Sequence, residues 1–496
     1  MDLDHSGPPA DTRFFGHPLG LATLFFTEMF ERFSYYGMRA LLILYMTHKL
    51  AEGGLGFKDA KAGSIYGLYT AMVYLLCLVG GWIADTFIGQ RRAVLVGGIL
   101  ISSGEFCLLA PSEASFYAGL ALLMMGTGLL KGNVSTIVGQ LYAPGDLRRD
   151  SGFSIFYMGI NTGAVVAPLI CSFVAKYYGF RLGFGVAGLG MVVGILQYLI
   201  FGRYLGTAGL HPAGSGSPEA DRRKKRNGLL AGLVVVAVLG GLGGLGTIGV
   251  ISITPELLSN ALGFLLLLVS VVVFSWLIFG RGWSFEERKR STAILVLFVS
   301  SAVFWGALEQ AGSSLNLFAD RATRCVILGF AFPPSSFQLV EPVCVVLLAP
   351  VFAWLWLTLG RRDPSSPAKF SLALLFNGAA FAILIPAAVI AGRGTRVSAL
   401  FLLGTYLLQA LGELSLSPVG LSATSRLAPA RAAGFMMGIW FLSTSIGNWL
   451  SGKAASLYSS MPLPSLFGYV AAFSLGAAVV MALLIKPTVR LMSGVK

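Results

Sequence analysis

Apolar stretches long enough to cross a membrane recur from Leu19 almost to the end of this chain. A helix needs about 20 residues to cross the ~30 Å hydrocarbon core, since each residue rises about 1.5 Å. Hydrophobic residues make up 55% and charged residues only 12% of the 496 residues. A soluble protein could not cover so much apolar surface with polar side chains. The chain is therefore predicted to be an all-α protein with many membrane spans.

The apolar stretches predict fourteen spans. They lie near residues 19–46, 62–88, 92–110, 115–142, 150–176, 182–204, 228–249, 256–279, 291–317, 336–359, 369–391, 396–424, 431–453 and 463–486. A basic linker rich in Gly, Ser and Pro separates the sixth span from the seventh. We therefore expect three domains: a six-helix bundle over 1–204, a linker with a two-helix insert over 205–290, and a second six-helix bundle over 291–496. Two halves of equal span number are typical of alternating-access carriers.

Lys and Arg residues are unevenly divided between the two sides of the predicted spans. Of those near the loops, 21 lie on one side and nine on the other. Cytoplasmic loops carry the excess of cations in membrane proteins. The cation-rich side, which includes both termini, is therefore predicted to be cytoplasmic. Because these loops account for the net charge of +14, we expect a membrane-lipid environment and no nucleic-acid partner.

The sequence contains no residue set that is typical of an enzyme. No two of the four histidines have metal-ligand spacing, and no nucleophile, histidine and acid form a catalytic set. Residues 241–246 match GxGxxG, but no strand precedes them, and small residues in an apolar stretch are typical of helix packing. We expect no catalytic activity, no metal and no cofactor.

Ionisable residues inside the first span form a stripe along one helical face. The stripe consists of Glu28, Glu31, Arg32, Tyr35 and Arg39. Their spacings of three, four and seven residues keep them on one side of a helix, over about 16 Å. The stripe has two interpretations: a self-neutralising structural pair of Glu31 with Arg32, or a water-filled pathway. Two carboxylates and two guanidiniums on one face favour the pathway, since each costs a few kcal/mol in lipid.

Other charged residues occur inside later spans. They are Glu105 in the third, Lys131 in the fourth, Glu309 in the ninth, Glu341 at the start of the tenth and Glu413 in the twelfth. The intramembrane cations lie in the first half of the chain and three of the acids lie in the second. This division predicts a site with a basic and an acidic wall, which suits a zwitterion. Glu105 is a weaker candidate for this site, because a place near the outer end of its span would let its side chain reach water.

Seven motifs, in the correct order, resemble those of the proton-coupled oligopeptide transporters of the major facilitator superfamily. The most specific is Glu28-Met-Phe-Glu31-Arg32-Phe-Ser-Tyr35-Tyr36-Gly37, which is similar to the family signature ExxERFxYYG. The other six lie at residues 81–92, 126–133, 156–163, 304–310, 412–418 and 434–440. The resemblance implies the major facilitator fold, with 6+6 helices and a two-helix insert. It also implies import of di- and tripeptides with protons across the bacterial cytoplasmic membrane.

The resemblance also implies roles for individual residues. Proton coupling would involve Glu28, Glu31, Arg32 and Glu309. Peptide binding would involve Tyr35, Tyr36, Arg39, Tyr74, Lys131, Asn161, Trp305, Glu413, Ser417 and Trp440. Within this group Arg39, Lys131 and Asn161 would form the basic wall, and Glu413 would hold the peptide amine. The pairs Arg39–Glu309 and Lys131–Glu413 would exchange as salt bridges during gating. Without the resemblance, the tyrosines and tryptophans would be equally well explained by ordinary helix packing.

Two positions depart from the family pattern. Some relatives carry a histidine after Ile-Tyr in the second helix, where this chain has Gly67, so coupling here would depend on carboxylates. The family's FQxxNP motif reads Phe-Gln-Leu-Val-Glu341-Pro342, with a carboxylate in place of the amide. We add Glu341 to the substrate-binding residues and expect it near Glu309 or Glu413, partly protonated without peptide. There it would attract basic side chains or hold an extra proton. The alternative is a solvated side chain without function.

Peptide import is the leading hypothesis, and other function classes stay open. The chain could carry another zwitterionic solute, or it could be a transporter-like membrane sensor that binds without turnover. A membrane enzyme has the least support. In the transporter hypothesis the chain is expected to function as a monomer.

Overall fold

The computed structural model describes residues 12–143, 146, 148–212, 219, 222–223, 225–230, 252, 254–428 and 433–493. Fourteen α-helices with defined bounds lie in these ranges. They are α1 (Leu19–Thr47), α2 (Asp59–Ile83), α3 (Gln90–Cys107), α4 (Glu113–Gln140), α5 (Arg148–Tyr178), α6 (Phe180–Phe201), α7 (Pro255–Phe279), α8 (Phe285–Leu308), α9 (Ser314–Ala322), α10 (Val340–Leu359), α11 (Ser366–Gly392), α12 (Leu400–Leu427), α13 (Ala433–Ser456) and α14 (Leu463–Leu491).

Short elements connect some of these helices. The strands β1 (Thr323–Arg324) and β4 (Val397–Ser398) pair in parallel, and β2 (Val326–Ile327) pairs antiparallel with β3 (Phe330–Ala331). A π-helical turn, Ala84–Ile88, extends α2.

Thirteen of the fourteen predicted spans coincide with described helices. Most of the other span, 228–249, lies outside the described residues, and so does the glycine motif at 241–246. Ten helical segments of the described chain are long and apolar enough to cross a membrane by length and composition. The charged helix α1 is not among these ten, since its stripe of ionisable residues interrupts the apolar sequence.

The predicted ninth span is not one continuous helix. Its first part, α8, ends at Leu308, and a 3₁₀ turn, Glu309–Gly312, precedes α9. Gly312, at the end of this turn, lies close to α1 and α2, because a Cβ there would lie 2.7 Å from Nε of Arg39 and still closer to the Tyr66 hydroxyl. The break places Glu309 directly at the end of α8.

The described chain forms two compact units. The first contains residues up to Met38, Leu76–Ala167 and Phe184–Ile253, and the second contains Arg39–Leu75, Pro168–Gly183 and Thr254–Lys496. Several helices, α1, α2, α5 and α6, contribute to both units, so neither unit is a continuous stretch of chain. The domain boundaries at residues 204 and 290 stay a prediction.

Small residues bring helices of the first unit close together. A Cβ on Gly126 of α4 would lie 2.7 Å from the carbonyl oxygen of Gly97 on α3. A Cβ on Gly163 of α5 would lie 2.8 Å from Cβ of Arg32 on α1. Close backbone approach through glycine is the usual packing mode of membrane helices. It places α5 directly against the charged face of α1.

The second unit has an apolar core that supports the end of α8. Phe304 and Leu308 of α8 belong to one cluster with Phe370 of α11, Leu416 of α12 and Trp440 of α13. Asn377 of α11 donates a 2.9 Å hydrogen bond from Nδ2 to the carbonyl oxygen of Phe304. These contacts fix the helix end from which Glu309 projects.

Candidate functional site

The charged residues of α1 in the first unit form a buried cluster. Nε of Arg32 lies 3.2 Å from Oε1 of Glu28, and it also pairs with Oε2 of Glu31. The three side chains are at most 3% exposed. Arg32 also lies over the ring of Tyr35, with 5.2 Å between Cζ and the ring centroid. The predicted Glu31–Arg32 pair therefore exists, and it is part of a larger cluster.

Lys131 extends this cluster from α4. Its ammonium interacts electrostatically with Arg32, Glu31 and Glu28. The cluster therefore combines two cations with two carboxylates, so a change in the protonation of any member alters the balance for the others. Lys131 is half-buried, whereas the three side chains of α1 are buried.

A second ion pair lies in the second unit, where Arg39 of α1 meets Glu309. Nη2 of Arg39 is 2.6 Å from Oε2 of Glu309, and both side chains are at most 8% exposed. Nε of Arg39 donates to the Tyr66 hydroxyl at 2.9 Å, and Nη2 donates to the Glu309 carbonyl oxygen at 3.4 Å. The predicted pair of Arg39 with Glu309 is thus present as a buried, hydrogen-bonded ion pair. Sequence reasoning missed Tyr66, since no local pattern links it to Arg39.

Glu341 and Glu413 are close neighbours in the second unit. Their carboxyl groups, on the first turn of α10 and in the middle of α12, interact electrostatically. Arg39 and Glu309 also interact electrostatically with both carboxyl groups. Both side chains are half-buried. The structure therefore brings Glu341 to Glu413, as one of the two sequence hypotheses expected, and not to a separate solvated position.

The other predicted peptide-binding residues divide by exposure. Tyr36, Tyr74, Asn161, Trp305 and Ser417 are half-buried, whereas Tyr35 and Trp440 are buried. Trp440 packs edge-on against Phe370, with 6.4 Å between ring centroids. Nδ2 of Asn161 donates to the Tyr157 carbonyl oxygen on its own helix at 3.0 Å. The functions of all these residues stay predictions, and so does the exchange of Lys131 with Glu413, which belong to different units.

Glu105 does not reach water at the outer end of its span. Its side chain is completely buried, and it accepts a 3.1 Å hydrogen bond from the Ser34 hydroxyl of α1. A Cβ on Gly188 of α6 would lie 2.8 Å from Cβ of Glu105, so the bare glycine backbone lies against α3. This close packing leaves the carboxyl no path to water.

A polar cluster at the helix ends of the second unit was also missed. Asp59, at the start of α2, accepts two hydrogen bonds from Arg321 of α9 at 2.7 and 2.8 Å, and it accepts another from the Ser459 hydroxyl. The His48 ring lies 3.1 Å from Asp320 and 3.3 Å from Glu52. The hydrogen bond with Asp320 raises the pKa of His48 above its ordinary value. Except for His48 and Glu52, the partners are far apart in sequence, so no spacing pattern predicts their contact.

Comparisons with known proteins agree with the sequence motifs. The sequence model described as the POT family matches residues 91–212 and 281–470. A peptide transporter of Yersinia enterocolitica, YePEPT, is 38% identical over 98% of this chain and 97% of its own. A di-/tripeptide transporter of Lactococcus lactis is 36% identical over 97% of this chain and 98% of its own. The chain belongs to the POT family.

A solved structure extends the similarity to the fold. The crystal structure of a peptide transporter POT in complex with sulfate has a TM-score of 0.92 and 40% identity, covering 98% of both chains. The predicted fold class, an all-α membrane protein with the major facilitator fold, is confirmed, and so is the predicted family. As a POT-family member the chain is an integral membrane transporter.

Proposed function

We propose that the chain imports di- and tripeptides together with protons across the bacterial cytoplasmic membrane. The names of its relatives support the substrate class, and proton coupling is a general property of the family. The excess of cations in one set of loops supports cytoplasmic termini. The proposal includes a functional monomer without cofactor, metal, nucleic-acid partner or enzymatic activity.

The observation that carries the proposal is the buried ion pair of Arg39 with Glu309. A buried guanidinium is costly without its carboxylate, because the penalty of removing it from water is several kcal/mol. Protonation of Glu309 would release Arg39 to another anion. The carboxylate of a bound peptide is such an anion, so proton binding and peptide binding would favour one another.

The charged cluster of α1 supports the same coupling. Glu28 and Glu31 both pair with the guanidinium of Arg32. Protonation of one carboxylate would therefore strengthen the interaction of the other with Arg32, and it would change the electrostatic potential at Lys131. In this proposal Arg39, Lys131 and Asn161 hold the peptide carboxylate end, and Glu413 holds its amino group. The tyrosines, tryptophans and Ser417 would contact the peptide between its ends. Alternating exposure of this site to the two sides would complete a transport cycle.

Uptake of labelled dialanine into proteoliposomes tests the proposal. An inward proton gradient should drive accumulation, and a protonophore should abolish it. Binding without accumulation would favour a sensor. No response to any di- or tripeptide would favour another zwitterionic cargo and would overturn the proposal.

A further inference from the structure

An apolar groove lies between α7 and α8 of the second unit, and its volume is about 420 Å³. The rings of Phe274 and Phe298 form its floor, with 5.1 Å between their centroids. Both rings are buried, whereas Val271 and Val299, which also line the groove, are more than half exposed. Both helices belong to segments that are long and apolar enough to cross a membrane. The open side of the groove therefore faces the hydrocarbon of the bilayer.

The groove has the length of one lipid leaflet. On α7 its lining extends from Leu267 to Phe279, the last residue of the helix. These two positions are about 18 Å apart along the helix, because each residue rises about 1.5 Å. Half of the hydrocarbon core is about 15 Å thick. A groove that starts at the end of α7 thus extends to about the middle of the bilayer, as the acyl chain of a lipid does.

Two tryptophans indicate that the end of α7 lies at the membrane surface. Trp276, in the last turn of α7, packs edge-on against Trp283 of the following loop, with 4.9 Å between ring centroids. Trp276 is half exposed. Tryptophan is enriched at the boundary between hydrocarbon and headgroups. The groove mouth, which we define as residues 279–281, therefore lies at the level of the lipid headgroups.

The segment that follows the groove mouth is positively charged. Residues 281–290 have a net charge of +2, from the four cations Arg281, Arg288, Lys289 and Arg290 and the two carboxylates Glu286 and Glu287. Both carboxylates have local partners. Glu286 pairs with Lys289 at 3.1 Å, and Oε2 of Glu287 accepts a 2.7 Å hydrogen bond from the Ser284 backbone amide. The excess positive charge therefore belongs to the arginines.

Two of these arginines lie at the groove mouth. Arg281 is exposed and comes two residues after Phe279. Nη2 of Arg288 donates a 3.1 Å hydrogen bond to the Gly280 carbonyl oxygen, which holds this guanidinium at the end of α7. Neither arginine forms an ion pair with a carboxylate of the described chain. Both can therefore interact with an anion at the membrane surface.

We propose that the groove and its mouth bind one anionic phospholipid. One acyl chain lies in the groove, and the phosphate interacts with Arg281 and Arg288. Basic pockets between membrane helices on the cytoplasmic side are known binding places for anionic headgroups. Free phosphate would leave the apolar groove unfilled. This inference concerns the lipid surroundings of the protein and does not depend on the proposed peptide transport.

A second copy of the chain fits this surface less well than a lipid. Most dimers have two-fold symmetry, so the same surface of both subunits meets in the interface. Contact of two such surfaces would place two positively charged groove mouths in one interface, where like charges repel each other. An anionic headgroup instead balances the charge of the mouth.

Native mass spectrometry of the purified full-length protein tests the headgroup. The protein in detergent is titrated with phosphatidylglycerol and with phosphatidylcholine of the same acyl chains. Wild type should bind phosphatidylglycerol at least about tenfold more tightly, and Arg281→Gln should lower this affinity about fivefold. Arg362→Gln is the matched control, since it removes an exposed cation from another loop of the cation-rich side. It should leave the affinity for phosphatidylglycerol unchanged.

Filling the groove tests the acyl chain. Ser275 lines the groove and is exposed, so the ring in Ser275→Phe should occupy the groove and weaken phosphatidylglycerol binding without a change of charge. Val272→Phe is the matched control, because Val272 is exposed on the same helix but does not line the groove. Monodisperse elution in detergent and a cooperative thermal transition verify the folding of each variant.

Equal affinity of wild type for the two lipids would overturn the inference, and so would wild-type affinity for phosphatidylglycerol in Arg281→Gln or Ser275→Phe. Inorganic phosphate is the probe for a free anion. If it competes with phosphatidylglycerol at equal concentration, the site binds phosphate alone and the lipid assignment is wrong. A dimer without bound lipid, which Ser275→Phe converts to a monomer, would assign the groove to a second copy instead. Peptide uptake is not measured, so failure of the proposed function would not change these results.

Discussion

The guanidinium of Arg32 holds Glu28 and Glu31 together in a part of α1 from which water is almost excluded. Nε of Arg32 contacts both carboxylates, and Lys131 adds a second cation to the same field. The cluster is electrically balanced when all four groups are ionised. In the proposed coupling, protonation of one carboxylate would leave the cluster with one excess positive charge.

Replacing Glu31 tests this role. Glu31→Gln keeps the size of the side chain but removes the carboxylate beside Arg32. We expect loss of dialanine uptake driven by a proton gradient, while peptide counterflow without a gradient stays partly intact. Parallel assays in the same proteoliposome preparation measure both. Gradient-driven accumulation at the wild-type level would exclude Glu31 from coupling.

Replacing Glu413 tests how the amino end of a peptide is recognised. Glu413→Gln replaces the carboxylate that is proposed to hold the peptide amine with a neutral amide, so dialanine binding should weaken by about tenfold or more, as for a charge-assisted hydrogen bond. N-acetyl-dialanine should compete poorly for wild type, because it lacks the ammonium group. Competition assays with both peptides measure this, and equal competition would show that Glu413 does not bind the amine.

At the scale of helices, glycines allow the spans of the first unit to pack closely against one another. Gly126→Ala should lower the free energy of unfolding by about 1–3 kcal/mol, as overpacking does, because its Cβ would lie 2.7 Å from a backbone oxygen of α3. Gly132→Ala on the same helix is the control, since its nearest contact would be 3.8 Å away. Thermal unfolding in detergent compares the stability of the two variants. An equal loss of stability in both would contradict the close packing of α4 on α3 at Gly126.

The polar cluster at the helix ends predicts a pH effect on stability. The bond with Asp320 raises the pKa of His48 above its ordinary 6.5, so the protonated imidazole is favoured in the folded protein. Its stabilisation is therefore fully present below pH 6.5 and is lost as pH rises through the raised pKa. The melting temperature of wild type relative to His48→Gln should be highest in mildly acidic buffer and fall as the buffer becomes alkaline. If the difference in melting temperature between wild type and His48→Gln does not vary with pH, protonation of His48 does not stabilise the fold.

The sequence predicts helices better than helix ends and contacts. Long apolar stretches locate thirteen described spans, because lipid requires a helix wherever the chain crosses it. The break after Leu308 and the close contact of Gly312 with Tyr66 and Arg39 were not predicted, since no local pattern indicates either of them. Glu105 was misplaced for a similar reason, because its burial depends on Gly188 in another helix.

For the whole molecule, the sequence motifs predicted the family. The partners of the charged residues could be identified only from the three-dimensional structure. The sequence signature on α1 contains the charged residues of that helix. Only the fold shows that Arg39 forms a hydrogen bond with Tyr66 as well as an ion pair with Glu309. The proximity of Glu341 to Glu413 was one of two hypotheses from sequence. The choice between them required the packing of α10 on α12, which no local pattern contains.

The most direct measurement of peptide–proton coupling follows the pH inside proteoliposomes that contain the protein and a trapped pH indicator. No proton gradient is imposed, and a potassium-selective ionophore holds the membrane potential negative inside. Addition of external dialanine should acidify the interior of wild-type liposomes, and Glu31→Gln should abolish this while it still exchanges labelled peptide. Dialanine entry into wild-type liposomes without any acidification would contradict proton-coupled import.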